Sequence, residues 1–262
     1  MDVFIANQNE ILNESGHQDW HRITVRDFGD RNIEVSVMPY ETWSEPHEDD
    51  SKPRTERGKG NRERSAEVAS KRAKRRVRHL CKLLKSRYML TLTTREIITD
   101  PDIFQRMFQE FVRRIRLVGN FEYIATHELQ QRGALHLHVA VAKRQDYKLL
   151  WSIWHRICGE GNGRVHVTSG NKKASVNRIA AYISKYIAKS FESGNLNKRR
   201  YWASKGIGEP IKTVHLLRKD WDFGEVLLYI VQLCEEHGVV FDTTYSWCQG
   251  KKGLFWMAVC EN

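Results

Sequence analysis

Two histidines and a tyrosine-bearing helix are the residues of this chain whose types and spacing could do chemistry. In the segment 134–142, apolar side chains alternate with His136 and His138, which is the pattern of a β-strand with one buried face. Both imidazoles would project from the same face, between Ala134 and Ala140, whose small side chains leave room for a ligand. This pattern predicts a metal site on a sheet whose reverse side is core.

A carboxylate joins this metal site if the preceding strand forms a hairpin with 134–142. The segment 121–129 reads as that strand, joined by a four-residue turn that ends in Gly133. If residue 129 pairs with residue 135, Glu128 lies opposite His136, within roughly 5 Å on the same face. Two histidines and one carboxylate suit a divalent ion with open positions for water or a phosphate oxygen. The alternative is a pair of structural histidines on a partly exposed sheet face.

A helix predicted near 175–190 supplies a candidate nucleophile. Its apolar stripe consists of Ile179, Ile183 and Ile187. Its basic side consists of Arg178, Lys185 and Lys189, with Tyr182 among them. The cations would favour the Tyr182 phenolate and neutralise a phosphate under attack. Tyr186 follows one turn later at the border of the apolar stripe, so Tyr182 is predicted to be the better-exposed tyrosine. Taken alone, such a helix is also ordinary packing.

The elements around these residues predict an α+β fold, an antiparallel sheet backed by helices. The predicted order is β-α-β-β-α-β-α, over 87–94, 101–118, 121–129, 134–142, 146–157, 164–168 and 175–190. A strongly basic helix is predicted before them, over 62–86. We therefore divide the chain into an N-terminal extension and flexible linker (1–61), a central domain (62–206) and a C-terminal extension packed on the core (207–262).

The extensions carry weaker patterns of their own. A strand pair is predicted at Ile23–Val25 and Ile33–Val37, a helix at 225–237, and two short strands within 239–260.

Composition points to a polyanionic partner. Lys and Arg exceed Asp and Glu by 43 to 32, a net charge of +11, and phosphate neutralisation makes nucleic acid the first candidate. The five cysteines are scattered and never form CxxC, which indicates reduced thiols. No stretch of 18 apolar residues is present, so we expect a soluble, cytoplasmic protein without a membrane partner.

Three sequence motifs resemble those of the HUH rolling-circle replication initiators. They are TLT at 91–93, LHLHV at 135–139 and YISKYIAK at 182–189, in the family's order. The likeness covers about 62–206 and is greatest to phage and plasmid members with two tyrosines. It implies an RRM-like sheet, Mg²⁺ or Mn²⁺ held by Glu128, His136 and His138, and a tyrosine nickase that leaves a 3′-hydroxyl and a 5′-phosphotyrosine link.

The resemblance also implies roles and partners. Tyr182 and Tyr186 would alternate as nucleophiles, and Lys185 would contact the metal–phosphate region. We expect the partner to be a single-stranded DNA origin, either unstructured or folded as a hairpin, and the location to be a bacterial host cytoplasm. Because the sequence lacks a GxxxxGK[ST] loop, unwinding is expected from a host helicase within the host replication machinery. Predicted DNA contacts are Arg75, Arg76, Arg78, Thr91, Thr93, Arg178, Lys189, Arg199 and Arg200.

Three other functions compete with this hypothesis. An HUH transposase or relaxase would use the same chemistry on the ends of a mobile element or on a transfer origin. A non-catalytic DNA-binding replication regulator would keep the fold alone. A two-His, one-carboxylate iron oxygenase explains the ligands but neither the basic charge nor the Tyr/Lys helix.

Overall fold

The computed structural model describes residues 18–42, 62–167, 176–192, 200–218, 220–239 and 243–260. The chain divides into two compact units: Gly60–Glu209, called the central unit below, and a terminal unit that combines Met1–Lys59 with Pro210–Asn262. Each unit has its own five-stranded sheet. None of the described helices combines the length and the apolar character needed to cross a bilayer.

The described residues form strands and helices in the order β1 (Gln18–Asp27), β2 (Ile33–Thr42), α1 (Arg62–Leu83), β3 (Tyr88–Thr94), α2 (Pro101–Arg116), β4 (Ile124–Leu129), β5 (Leu135–Val141), α3 (Tyr147–Cys158), β6 (Gly163–Val167), α4 (Val176–Glu192), β7 (Tyr201–Ala203), β8 (Ile211–Arg218), α5 (Phe223–Glu236), β9 (Thr243–Gln249) and β10 (Leu254–Cys260). The predicted order β-α-β-β-α-β-α is confirmed by β3 to α4.

The sheet of the central unit is antiparallel throughout, with the strand order β6-β3-β5-β4-β7. The predicted fold class, an α+β fold with an antiparallel sheet backed by helices, is therefore confirmed. Strand β7 was not predicted, because its three residues lie in a short basic stretch without an alternating pattern long enough to stand out.

One face of this sheet packs against α2 and α3. Asp100 begins α2 by accepting a hydrogen bond from the backbone N–H of Asp102, and Pro101 occupies the first turn, where a missing N–H costs nothing. Phe104, Phe108 and Phe111 then recur at helical spacing and are buried. They pack with the apolar side chains of β3 and β5, so this face is the main core.

The opposite face of the sheet packs against α1 and α4. The predicted apolar stripe of α4, Ile179, Ile183 and Ile187, is buried against Ile124 and Ala140 of the sheet and against residues of α1. This second core covers only part of the face. His136 and His138 lie on the same face as Ala140, beyond the apolar residues.

Helix α1 ends earlier than predicted, at Leu83 rather than at residue 86. Lys85 adopts a left-handed conformation with φ of 53°. The N–H of Ser86 donates to the carbonyl of Cys81 at 2.9 Å, and that of Lys85 donates to Lys82 at 3.0 Å, which closes the helix in a Schellman arrangement. Since Lys rather than Gly takes the left-handed position, the sequence carried no visible stop signal.

The terminal unit joins strands from both ends of the chain in the order β8-β1-β2-β10-β9. The predicted pair of N-terminal strands is confirmed by β1 and β2, and the C-terminal helix and strands are confirmed by α5, β9 and β10. Helix α5 begins with a capping box between Asp222 and Glu225 and packs on one face of the sheet. The described cysteines Cys81, Cys158, Cys234 and Cys248 are free thiols.

Candidate active site

The hairpin of β4 and β5 sets the register on which the metal site depends. Its turn is closed by the N–H of Gly133, which donates to the carbonyl of Gln130 at 2.9 Å, and Gly133 has a φ of 83°. Leu129 therefore pairs with Leu135, and Glu128 pairs with His136, as predicted. Because side chains alternate along a strand, Glu128 and both histidines share one face.

These three residues form a compact triad, Glu128, His136 and His138. One carboxylate oxygen of Glu128 lies 3.1 Å from Nε2 of His136 and 3.2 Å from Nε2 of His138. One ligand atom from each residue can be chosen so that all lie within 4.8 Å of one another. Two nitrogens and an oxygen converging at this spacing fit a divalent ion with open coordination positions. The predicted ligands are thus brought together.

The outward nitrogens of both imidazoles are also held. Nδ1 of His138 lies 3.3 Å from the hydroxyl of Thr91, and Nδ1 of His136 lies 3.0 Å from the side-chain amide of Gln130. An ion on Nε2 requires the proton on Nδ1, so these neighbours must then accept hydrogen bonds. Thr91 does so by rotating its hydroxyl. The amide nitrogen of Gln130 faces Nδ1 of His136, and its oxygen accepts from Nε of Arg132 at 2.8 Å, so Gln130 accepts from His136 only if its amide turns over and gives up the contact with Arg132.

Sequence reasoning missed this layer around the triad. Gln130 lies in the turn, where no alternation marks it, and Thr91 was predicted to contact DNA. The signal that could have found Thr91 is the pairing of β3 with β5, which places Thr91 beside His138 and Thr93 beside His136.

Helix α4 brings both tyrosines to the triad. The ring of Tyr182 lies 5.9 Å from that of His138 in an edge-to-face arrangement, and the Tyr186 ring stacks on His138 at 3.9 Å. The hydroxyl of Tyr186 donates to the hydroxyl of Tyr182 at 2.7 Å. Tyr182 is 46% exposed and Tyr186 only 8%, so the predicted difference in exposure is confirmed.

The surroundings of Tyr186 keep its hydroxyl protonated. Burial raises the pKa of Tyr186 well above that of a free phenol, and the Tyr182 hydroxyl and the Glu128 carboxylate add to the effect. Tyr186 therefore acts as a hydrogen-bond donor toward Tyr182. A donor of this kind stabilises negative charge that develops on the Tyr182 oxygen.

Cations on α4 flank the exposed tyrosine. Arg178 lies one turn before Tyr182 and Lys185 lies three residues after it, and both are at least partly exposed. The side chain of Lys189 and the whole of Arg199, two further predicted DNA contacts, lie outside the described residues. Within the part of α4 whose side chains are described, the cations near Tyr182 are therefore Arg178 and Lys185.

Some basic residues of α1 and of the segment around β7 line a groove that does not include the triad. Arg75 is exposed and Arg78 is half-buried, whereas Arg76 forms an ion pair with Glu209. Arg200 is 8% exposed, and burial lowers the pKa of its guanidinium. Arg76 and Arg200 line a groove of about 450 Å³ together with Tyr201 and Lys205, and no residue of the triad lines it.

Comparisons with known proteins point to replication. Residues 87–191, which include the triad and both tyrosines, match a family described as Replication-associated protein ORF2. The chain is also 30% identical over 126 residues to the Phasyl DNA replicon protein arp of Escherichia coli. That similarity covers 40% of this chain and 44% of the relative, so the chain spans less than half the length of the relative. No solved structure gives a significant match. Both similarities support a role in DNA replication.

Proposed function

We propose that this protein initiates rolling-circle replication by nicking and rejoining single-stranded DNA at an origin. The observation that carries the proposal is the position of the exposed Tyr182, whose ring lies edge-on to His138, beside a two-His, one-Glu triad. A nucleophile next to a candidate divalent-ion site is the arrangement that phosphodiester cleavage requires. The similarity of residues 87–191 to replication-associated proteins supports DNA as the substrate.

Glu128, His136 and His138 would hold Mg²⁺ or Mn²⁺. When bound, the ion would neutralise charge on an oxygen of the scissile phosphate and polarise its bonds to phosphorus. The chain itself supplies the support for the ligands, since Thr91 and Gln130 fix the orientation of the two imidazoles.

Tyr182 would perform the cleavage. Its phenolic oxygen attacks phosphorus, the bond between phosphorus and the 3′ oxygen breaks, and a 5′-phosphotyrosine link forms. The phenolic proton is lost to solvent, and the departing 3′ oxygen gains a proton to leave as a 3′-hydroxyl. Tyr186 donates to the attacking oxygen, and Lys185 and Arg178 supply positive charge for the phosphate.

The covalent link would also explain rejoining. Attack by a 3′-hydroxyl on the phosphotyrosine bond releases Tyr182 and restores a phosphodiester, so no external energy source is needed. Tyr186 would be the second nucleophile, and its burial implies that it acts after Tyr182 has been modified and displaced from its hydroxyl. This order assigns initiation to Tyr182 and a later cleavage to Tyr186.

The proposal is tested by incubating the full chain with single-stranded DNA from each strand of the replicon that encodes it, with and without Mn²⁺. We expect a protein–oligonucleotide band on denaturing gels that requires both Mn²⁺ and Tyr182, with a nick mapping to one nucleotide. A nick at the replication origin supports an initiator, whereas one at an element end or transfer origin supports a transposase or relaxase. Absence of cleavage of either strand would overturn the enzyme proposal and leave a DNA-binding regulator.

A further inference from the structure

We propose that Arg164 and His166 on β6 form a subsite for a second phosphodiester of the same DNA strand, next to the one that Tyr182 attacks. Neither residue was among the predicted DNA contacts. The placement of this subsite beside the scissile phosphate rests on the proposed function, because it takes the triad and Tyr182 as the point of cleavage. The subsite itself rests on the sheet register and on the exposure of the two side chains.

The face of the sheet that carries the triad is closed on one side. Strand β4 lies beside β5, and its Thr126 is fully buried with its hydroxyl donating to the carbonyl of Arg200. Helix α4 packs above this side, with Ile183 against the second core and Tyr186 on His138. A DNA strand therefore cannot pass over β4 without displacing packed side chains.

The same face becomes more open toward β3 and β6. Two rows of polar side chains lead from the triad across β3 to β6. In the first row, His138 pairs with Thr91 and Thr91 pairs with His166. In the second row, His136 pairs with Thr93 and Thr93 pairs with Arg164. The threonines are half-buried, whereas Arg164 and His166 are exposed.

The spacing suits a neighbouring phosphate rather than the scissile one. Strand β3 lies between β5 and β6, so the backbone of Arg164 is about 10 Å from that of His136. The Arg164 guanidinium can therefore reach a phosphate that lies over β3 or over β6. Its planar donors match phosphate oxygens in a bidentate contact. Within the described parts of the chain, the ion pairs found do not include Arg164. The His166 imidazole offers a further N–H donor.

The test measures binding separately from cleavage. A fluorescein-labelled 30-nucleotide thymidine oligomer is titrated with the full chain in EDTA, and its Kd is followed against KCl concentration. We expect Arg164→Ala to weaken binding at least about 10-fold and to reduce the slope of log Kd against log salt by about 0.7, the value for one lost phosphate contact on single-stranded DNA. Arg164→Lys should restore the slope, and His166→Ala should weaken binding roughly 5-fold.

Matched controls lie on helices that pack on the reverse face. Arg106→Ala removes the same charge from α2, and His155→Ala removes an imidazole from α3. An unchanged slope in Arg164→Ala, or an equal change in Arg106→Ala, would overturn the subsite even if Mn²⁺-dependent nicking is found. A specific change in slope without any nicking would support the subsite and count against the proposed cleavage activity.

Discussion

Tyr186 lies flat against the imidazole of His138, with 3.9 Å between the ring centroids and 21° between the ring planes. Its hydroxyl donates to Tyr182 at 2.7 Å. One side chain thus covers a candidate metal ligand and holds the candidate nucleophile. The two tyrosines are therefore unequal in the structure, although the sequence spacing alone would allow them to be equivalent.

The first prediction separates the two tyrosines. Tyr182→Phe should lower initial cleavage by about 10³-fold or more, because it removes the attacking oxygen. Tyr186→Phe keeps the ring stacked on His138 and removes the hydrogen bond to Tyr182, so initial cleavage should fall about 10-fold or less. Single-turnover cleavage of an end-labelled origin strand measures both rates.

A second substrate completes this comparison. The covalent adduct between Tyr182 and DNA is formed first and is then mixed with a second origin strand. Cleavage of the second strand and its joining to the first measure the later step. Tyr186→Phe should lose this step while wild-type protein carries it out. Equal loss of initial nicking in both variants would show that the two tyrosines are not ranked as their exposure suggests.

The second prediction concerns the carboxylate of the triad. Glu128→Gln keeps the size of the side chain but removes the negative charge that lies within 3.2 Å of both Nε2 atoms. Binding of Mn²⁺, followed by the loss of the free-ion EPR signal, should weaken at least about 10-fold. The rise in melting temperature that Mn²⁺ gives the wild-type protein should shrink accordingly. Glu122→Gln, an exposed carboxylate before β4, should behave like the wild type in both measurements.

The third prediction concerns the support of His138. Thr91→Val keeps a β-branched side chain of similar size and removes the hydroxyl beside Nδ1. We expect Mn²⁺ affinity to fall about 10-fold, since outer contacts of metal-binding histidines have effects of this order. Thr93→Val is the matched control, because the Thr93 hydroxyl contacts the carbonyl of Arg164 instead of an imidazole. Equal losses in the two variants would assign the effect to the strand rather than to His138.

Much of this site could be predicted because strand geometry is strict. Alternation placed His136 and His138 on one face, and a hairpin in which residue 129 pairs with residue 135 brings Glu128 opposite His136. The exposure of Tyr182 could also be predicted, because helical periodicity places Tyr182 on a different side of α4 from Ile179 and Ile183. These local rules act within a few residues, so one sequence suffices to apply them.

The rest depends on contacts between distant segments. Pairing of β3 with β5 and β6 decides that Thr91 supports His138 and that Arg164 lies on the face of the triad. Strands β1 and β2 share a sheet with β8 and β10, although more than half of the chain separates them. Such pairing is set by side-chain packing over the whole sheet, and no local pattern encodes it.

The last prediction tests the turn that joins β4 to β5. Gly133 has a φ of 83°, where a Cβ costs about 1 kcal/mol, while the space around it is open. Gly133→Ala should therefore lower the free energy of unfolding by about 1 kcal/mol, measured by urea unfolding of the full chain. Gly133→Asn should lose less, because Asn adopts this conformation more readily. Gly119→Ala is the control, since Gly119 also has open space but no left-handed φ.

The same variants show how the register is held. A slip of one residue would turn His136 and His138 to the other face, where Leu135 and Leu137 are packed in the core. Because that core opposes the slip, Gly133→Ala should lose stability but keep its Mn²⁺ affinity within about 3-fold of the wild type, a difference below about 1 kcal/mol. Loss of Mn²⁺ binding in a folded Gly133→Ala protein would instead mean that the turn, and not the core, holds Glu128 opposite His136.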